Sequence, residues 1–188
     1  MPFYKSMKQT FQSEYKERAS IYKERIVKWS TEPPVTRVEK PTNIARAREL
    51  GYKAKEGVIV ARVRVLGGTK KRATVGGGRK PSKSGRFFSR RKSVQSIAEE
   101  RAGKRFTNCE VLSSYFVGEA GSNKFYEVIM LEKANPVILS DNQYRNAVMQ
   151  SHRAERGLTY AGRLHRGLAT RGYGTVKFRP SKRKHDRS

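Results

Sequence analysis

Cysteine occurs once in the 188 residues, at Cys109. A lone thiol excludes an intrachain disulfide framework, and nothing here asks for an oxidising compartment. Acidic residues are scarce, with 16 Asp and Glu against 42 Lys and Arg. Long apolar runs are missing, and no stretch approaches the roughly 18 residues a membrane span needs. The opening stretch MPFYKSMKQTF has no apolar core run, so a secretory signal is not expected. No lipidation motif is present. The expectation is an intracellular, soluble protein with no membrane partner.

Catalytic and ligand motifs are missing as well. Cys109, His152, His165 and His185 show no CxxC, HxxxH or HExxH spacing, so no metal is expected. The run GGGRKPS lacks the four-residue spacer and the Gly-Lys-Ser/Thr ending of a phosphate-binding loop. No GxSxG occurs, and no GxGxxG joins a strand to a helix. These absences give no reason to expect an enzyme, a cofactor or a small-molecule substrate.

What the chain has is positive charge, formally +26. Self-repulsion on that scale works against a compact fold unless a dense anion neutralises it. A nucleic-acid backbone is the densest common one. An acidic membrane surface comes second, but basic membrane binders usually add a strong amphipathic face or a lipid.

The hydrophobic pattern predicts an α/β protein of the α+β kind: a small, mostly antiparallel sheet with packed helices. Tyr4, Met7, Phe11, Tyr15, Ala19, Tyr22, Ile26 and Trp29 recur at steps of three and four. That spacing predicts one long N-terminal amphipathic helix over 3–29, with Glu14–Arg18 and Glu24–Lys28 as i,i+4 pairs. Its aromatic stripe reads as core packing or, for one or two rings, as RNA contact. Pro33-Pro34 must end it, and 30–41 reads as a stiff extended linker. Thr42 or Asn43 should cap a short helix that carries Arg46 and Arg48 and stops at Gly51.

Residues 57–66 (GVIVARVRVL) read as a strand with Ile59, Ala61, Val63 and Val65 on one face. The other face presents Arg62 and Arg64, either as a solvated surface or as a phosphate-facing row. Ser96-Ile-Ala-Glu99 is a capping-box pattern that opens a helix ending near Gly103, and Glu99 and Glu100 suit capping and helix-dipole roles. Residues 109–118 and 124–132 read as a largely buried antiparallel hairpin. Between 110 and 135 there are four acids and two bases, which places the folded core there. Cys109, at a strand start, reads as a small buried hydrophobe. Asn135-Pro136 breaks the chain, and Ser140-Asp141-Asn142 can cap a short helix.

Two segments have a different character. Residues 67–92 hold ten Lys and Arg and no acid. Such a segment cannot bury enough surface to order alone, but against RNA it can order, with an aromatic pair stacked or wedged. Its candidate contacts are Lys70, Lys71, Arg72, Arg79, Lys80, Lys83, Arg86, Phe87, Phe88, Arg90, Arg91 and Lys92. A plain flexible loop is the alternative. Residues 151–188 hold eleven Lys and Arg, two acids and spread glycines. They read as a basic Gly/Arg-rich extension in which an intact helix is not expected, with Arg171, Lys182, Arg183 and Lys184 as further candidates. The expected organisation is one globular domain over 1–150, with a basic arm at 67–92, followed by that extension.

Four collinear blocks carry a resemblance: LGYKAKEGVIVARVRVLGGTKKR at 50–72, SVQSIAEERAGKR at 93–105, VLSSYFVGEAGSNKFYEVIML at 111–131, and HRAERGLTYAGRLHRGL at 152–168. The chain resembles the fifteen-e family of large-subunit ribosomal proteins of archaea and eukaryotes. The resemblance implies a cytoplasmic ribosomal protein embedded in large-subunit rRNA beside neighbouring large-subunit proteins, without catalysis or cofactor. It implies RNA contact at Tyr52, Lys53, Lys55, Arg62, Arg64, Arg153, Arg156, Arg163 and Arg166. The loop 73–92 departs from the family pattern. Two rival readings are a DNA-compacting protein, which would lack any helix-turn-helix or dimerising repeat here, and an RNA-processing enzyme, which would need a pocket of convergent polar groups.

Overall fold

The computed structural model describes residues 2–68, 70–71, 75–78, 80–85, 87–88 and 92–169. Four antiparallel strands make the main sheet: β1 (Val35–Val38), β2 (Val58–Leu66), β5 (Cys109–Ala120) and β6 (Asn123–Glu132). Their order is β1-β2-β6-β5. A two-stranded ribbon joins β3 (Lys70–Lys71) to β4 (Phe87–Phe88). With its seven described helices this is an α+β fold, as the sequence pattern implies.

Alternation along β2 and β6 gives the sheet two apolar faces. Ala61, Val63, Val65, Val128 and Met130 pack with Ala98 and Ala102 of α4 (Val94–Arg105). Phe125 and Ile129, on the other face of β6, pack with Trp29 of α2 (Ser20–Thr31) and Ala47 of α3 (Ile44–Glu49). Leu131 meets a third cluster with Ile138 of α5 (Pro136–Ser140) and Tyr144 of α6 (Asn142–Val148). Strand β5 serves both faces through register shifts between Val111 and Ser113 and between Phe116 and Gly118. A bulge moves the alternation by one residue. Val111 therefore faces α4 from an odd position and Ser114 from an even one.

The expected single N-terminal helix is two, α1 (Pro2–Glu17) and α2. Arg18 sits at φ 51 between them. A non-glycine residue there costs about 1–3 kcal/mol and persists only where contacts hold it. The Arg18 guanidinium lies 4.7 Å from the Tyr15 ring centre and donates to Tyr22 Oη at 2.8 Å and Glu119 at 3.4 Å. The expected Glu14–Arg18 pair gives way to Glu14–Arg25 at 2.7 Å. Part of the expected linker is strand β1, registered Val35 to Val63 and Val38 to Val60. Asn43 caps α3 and Gly51 follows at φ 95, as the sequence suggests. The cap of helix α4 is Ser93, three residues before the expected one, with its Oγ accepting from Ser96 N–H, and the helix runs past Gly103 to Arg105. Asn135-Pro136 starts α5, with proline in the first turn where its missing N–H costs nothing.

The chain stays packed beyond residue 150. Ala154 joins the α4-side core. Helix α7 (Tyr160–His165) is capped by Thr159. A Cβ on Gly162 would stand 2.6 Å from Gly157 Cα, so this glycine permits a helix and a loop to touch. Residues 151–169 therefore lie against the folded body, where the sequence pattern suggested a surface-tracking extension.

Candidate nucleic-acid interface

Buried carboxylates explain how a chain so basic packs these segments. Glu99, expected at the start of α4, lies inside that helix and is 1% exposed. It accepts hydrogen bonds from Ser114 Oγ and Thr159 Oγ1, each at 2.5 Å, and so joins α4 to β5 and to the start of α7. Burial pushes its carboxyl above the ordinary range, against the two hydroxyl bonds. Glu127, at 0% exposed, accepts from Tyr115 Oη at 2.5 Å, Thr42 N–H at 2.9 Å and Thr42 Oγ1 at 2.5 Å. Burial, then the Glu127 charge and bond, pushes the Tyr115 hydroxyl far up. Glu110 accepts from the backbone N–H of His152 at 2.9 Å and of Arg153 at 3.2 Å, with Lys133 Nζ at 3.0 Å.

Most other carboxylates are held in ion pairs at the surface. Glu49 meets Arg46 at 2.6 Å and Lys8 at 3.1 Å, and Glu100 meets Lys92 at 2.5 Å. Asp141 receives Lys55 at 2.9 Å and Lys53 at 3.4 Å. The Lys55 bond, the Gln143 N–H and Lys53 pull its carboxyl down to about 2. Glu17, Glu24, Glu39 and Glu56 stay exposed with no ion pair among the described residues, so the cationic excess outside the core comes from composition, sharpened by the burial of Glu99, Glu110 and Glu127.

The expected contact residues divide by position. Arg46, Arg48, Lys53, Lys55, Lys80, Lys92, Arg156, Arg163 and Arg166 are exposed. Arg48 stands 5.4 Å from the Tyr4 ring centre and bonds its hydroxyl. Arg156 and Arg166 reach the carbonyls of Ser151 at 3.2 Å and Gly157 at 3.4 Å. The Arg163 side chain has no hydrogen bond or ion pair among the described residues.

Arg62 and Arg153 turn inward. Arg62 is only 11% exposed. Its Cζ lies 4.6 Å from the Trp29 ring centre and its Nε 3.3 Å from Glu32, too misaligned for a hydrogen bond. Arg64 bonds the Ser30 carbonyl. Helix α2 thus covers the strand face that could have been a phosphate row. Arg153 donates to the Val111 carbonyl at 2.8 Å, and burial lowers its pKa against the pull of Glu110 and Glu99. Tyr52 is half-buried against the Trp29 cluster. The side chains of Lys70, Lys71, Lys83, Phe87 and Phe88, and the whole of Arg72, Arg79, Arg86, Arg90, Arg91, Arg171, Lys182, Arg183 and Lys184, lie outside the described residues.

One concavity escapes sequence reasoning. A cleft of about 630 Å³ opens between α1, α3 and the outer edge of β5. Lys8 and Lys16 stand at its rim, eight residues apart on one face of α1. The helical spacing is visible in the sequence, but the opposite walls come from segments up to about 150 residues away. Among the described residues no three His, Cys, Asp or Glu side chains gather as metal ligands would, and no helix is long and apolar enough to cross a membrane.

Comparison with known proteins agrees with the four sequence blocks. The family model Ribosomal L15 matches residues 2–185. The large ribosomal subunit protein eL15 of Metallosphaera sedula is 44% identical over 189 aligned residues, covering 98% of this chain and 87% of that protein. The protein of the same name from Methanocella arvoryzae is 45% identical over 170 residues, covering 89% of this chain and 87% of that protein. This basic α+β chain, matched almost end to end at this identity, belongs to the Ribosomal L15 family.

Proposed function

We propose that this protein is a structural constituent of the large ribosomal subunit that binds and organises large-subunit rRNA, supporting subunit assembly and translation. It works by phosphate neutralisation and shape recognition, without catalysis, in the cytoplasmic ribosome beside neighbouring large-subunit proteins. The observation that carries this reading is the near end-to-end match to large-subunit relatives; exposed cations such as Arg156 and Arg163, with no carboxylate partner among the described residues, accord with it. Exposed arginines such as Arg156 and Arg163 suit two-pronged contacts to phosphate oxygens, and Lys53 and Lys55 act as point charges. The arm 67–92 and the tail from 170 thread between rRNA helices, while the folded body sits towards the outside. Arg62 and Arg153 act indirectly, holding α2 and the 151–157 loop in place.

Filter binding to protein-free large-subunit rRNA across a salt series tests it. Engagement of about six to ten phosphates lowers affinity by roughly 10³–10⁵ between 50 and 200 mM monovalent salt. A slope of only one or two charges, or equal binding to duplex DNA of the same length, would refute it.

A further inference from the structure

The cleft between α1, α3 and β5 is left unused by phosphate neutralisation. At about 630 Å³ it lies within the roughly 300–1,000 Å³ of ligand sites. Three cations line it, Lys8, Lys16 and Arg46, and no carboxylate does. Lys8 and Arg46 share the single carboxylate of Glu49 just outside, and Lys16 has no ion-pair partner among the described residues. The mouth therefore keeps a positive excess.

Its interior is aromatic. Tyr15 and Phe116 meet edge to face with ring centres 5.8 Å apart. Phe116 stays 37% exposed, and Tyr160, at the first turn of α7, is 64% exposed. The side-chain amide of Gln12 is also exposed on α1. Flat apolar rings, an amide and a cationic mouth suit a nucleotide, whose base has flat apolar faces and a polar edge and whose phosphates remain outside.

An extended peptide could in principle pair with β5, the edge strand of the sheet. Side chains of the protein already occupy that edge. Gln95 Nε2 donates to the Ser114 carbonyl at 3.0 Å, and Arg153 donates to that of Val111 at 2.8 Å. Tyr22 Oη takes the N–H of Glu119 and bonds its carbonyl, both at 3.0 Å. Strand addition would have to break these bonds, whereas a base entering the cleft against the exposed ring faces need break none of them.

We propose that this cleft receives one unstacked base of an RNA strand, held against Phe116 and Tyr160, with the flanking phosphates at Lys8, Lys16 and Arg46. The inference rests on the rRNA-binding reading and adds to it a base-recognising site that the phosphate contacts do not provide.

The test uses the full chain and protein-free large-subunit rRNA. Tyr160→Ala removes an exposed ring, so the fold is retained, and circular dichroism checks this. The expected result is binding about tenfold weaker with an unchanged salt slope, since stacking releases no counterions. Lys16→Ala instead reduces the slope by about one. Short-wavelength irradiation of the wild-type complex should leave a nucleotide adduct on Phe116 or Tyr160, read by mass spectrometry. Wild-type affinity in Tyr160→Ala with no adduct in the cleft overturns the proposal and leaves the cleft to a protein partner. If the wild-type chain itself fails to bind rRNA, the rRNA reading fails, and the base site with it.

Discussion

Replacing Glu99 with alanine should detach the 151–167 segment from the folded body. The carboxylate ties α4 to β5 through Ser114 and to α7 through Thr159, each at 2.5 Å. A hydrogen bond to a charged group contributes about 1.5–3 kcal/mol, and a buried hydroxyl left without a partner costs about 1–3 kcal/mol. Alanine removes both bonds and strands two hydroxyls, although Thr159 still accepts from Gly162 N–H at 3.2 Å and Ser114 from Gln95 at 2.9 Å. The net cost should be about 3–5 kcal/mol. That is a large share of the roughly 5–15 kcal/mol of a typical domain. Glu99→Gln separates charge from shape. Burial raises the carboxyl above its ordinary value of 4.5, so the folded state holds the proton more tightly than the unfolded chain. This stabilisation is fully present below the ordinary value and is lost as pH rises through the raised one. Glutamine has no such loss, so its stability relative to wild type should rise with pH across that window. Urea unfolding followed by circular dichroism between pH 4 and 8 measures both variants, and other titrating groups cancel in the difference. An alanine variant within about 1 kcal/mol of wild type, or a glutamine advantage that shrinks as pH rises, would refute the reasoning.

Gly162→Ala should destabilise the same region by about 1–3 kcal/mol, because its Cβ would press on the Gly157 backbone at 2.6 Å; hydrogen exchange should show faster opening around Ala154 and Thr159. Lys55→Ala should raise the Asp141 carboxyl from about 2 towards its ordinary 3.8, read by carboxyl NMR titration. With the pKa depressed, the stabilisation from Asp141 is present above 3.8 and fades as pH falls through about 2. Deleting 76–88 should leave the body folded while impairing subunit assembly; a deletion chain that unfolds alone would make the arm part of the core.

The elements that the sequence displays are those whose signals are local. The alternation of Ile59, Ala61, Val63 and Val65 identifies β2 and its core face, and the paired apolar runs identify the β5–β6 hairpin. Asn43, Gly51 and Asp141 mark helix ends through their own side chains or backbone. What stays hidden depends on distant partners. The aromatic stripe keeps its helical phase through Tyr15 and Tyr22, so nothing local marks the break at Arg18, which Glu119 helps to hold from about a hundred residues away. Arg62 and Arg64 alternate as a surface pair would, yet α2 covers them because Trp29 and Glu32 meet Arg62 there. Glu99 sits in a capping-box pattern, but the true cap at Ser93 frees it to turn inward. At the interface, the sequence indicates the abundance of cations; which of them turn inward is decided by distant partners, Trp29 and Glu32 for Arg62 and the Val111 carbonyl for Arg153.

The most direct test of the central claim is sedimentation of a cell lysate on sucrose gradients at low and moderate monovalent salt, with this chain followed by mass spectrometry. An integral large-subunit constituent should travel with the large subunit and withstand the moderate-salt wash. A chain that stays near the top of the gradient, or leaves at the first salt increment, would contradict that account.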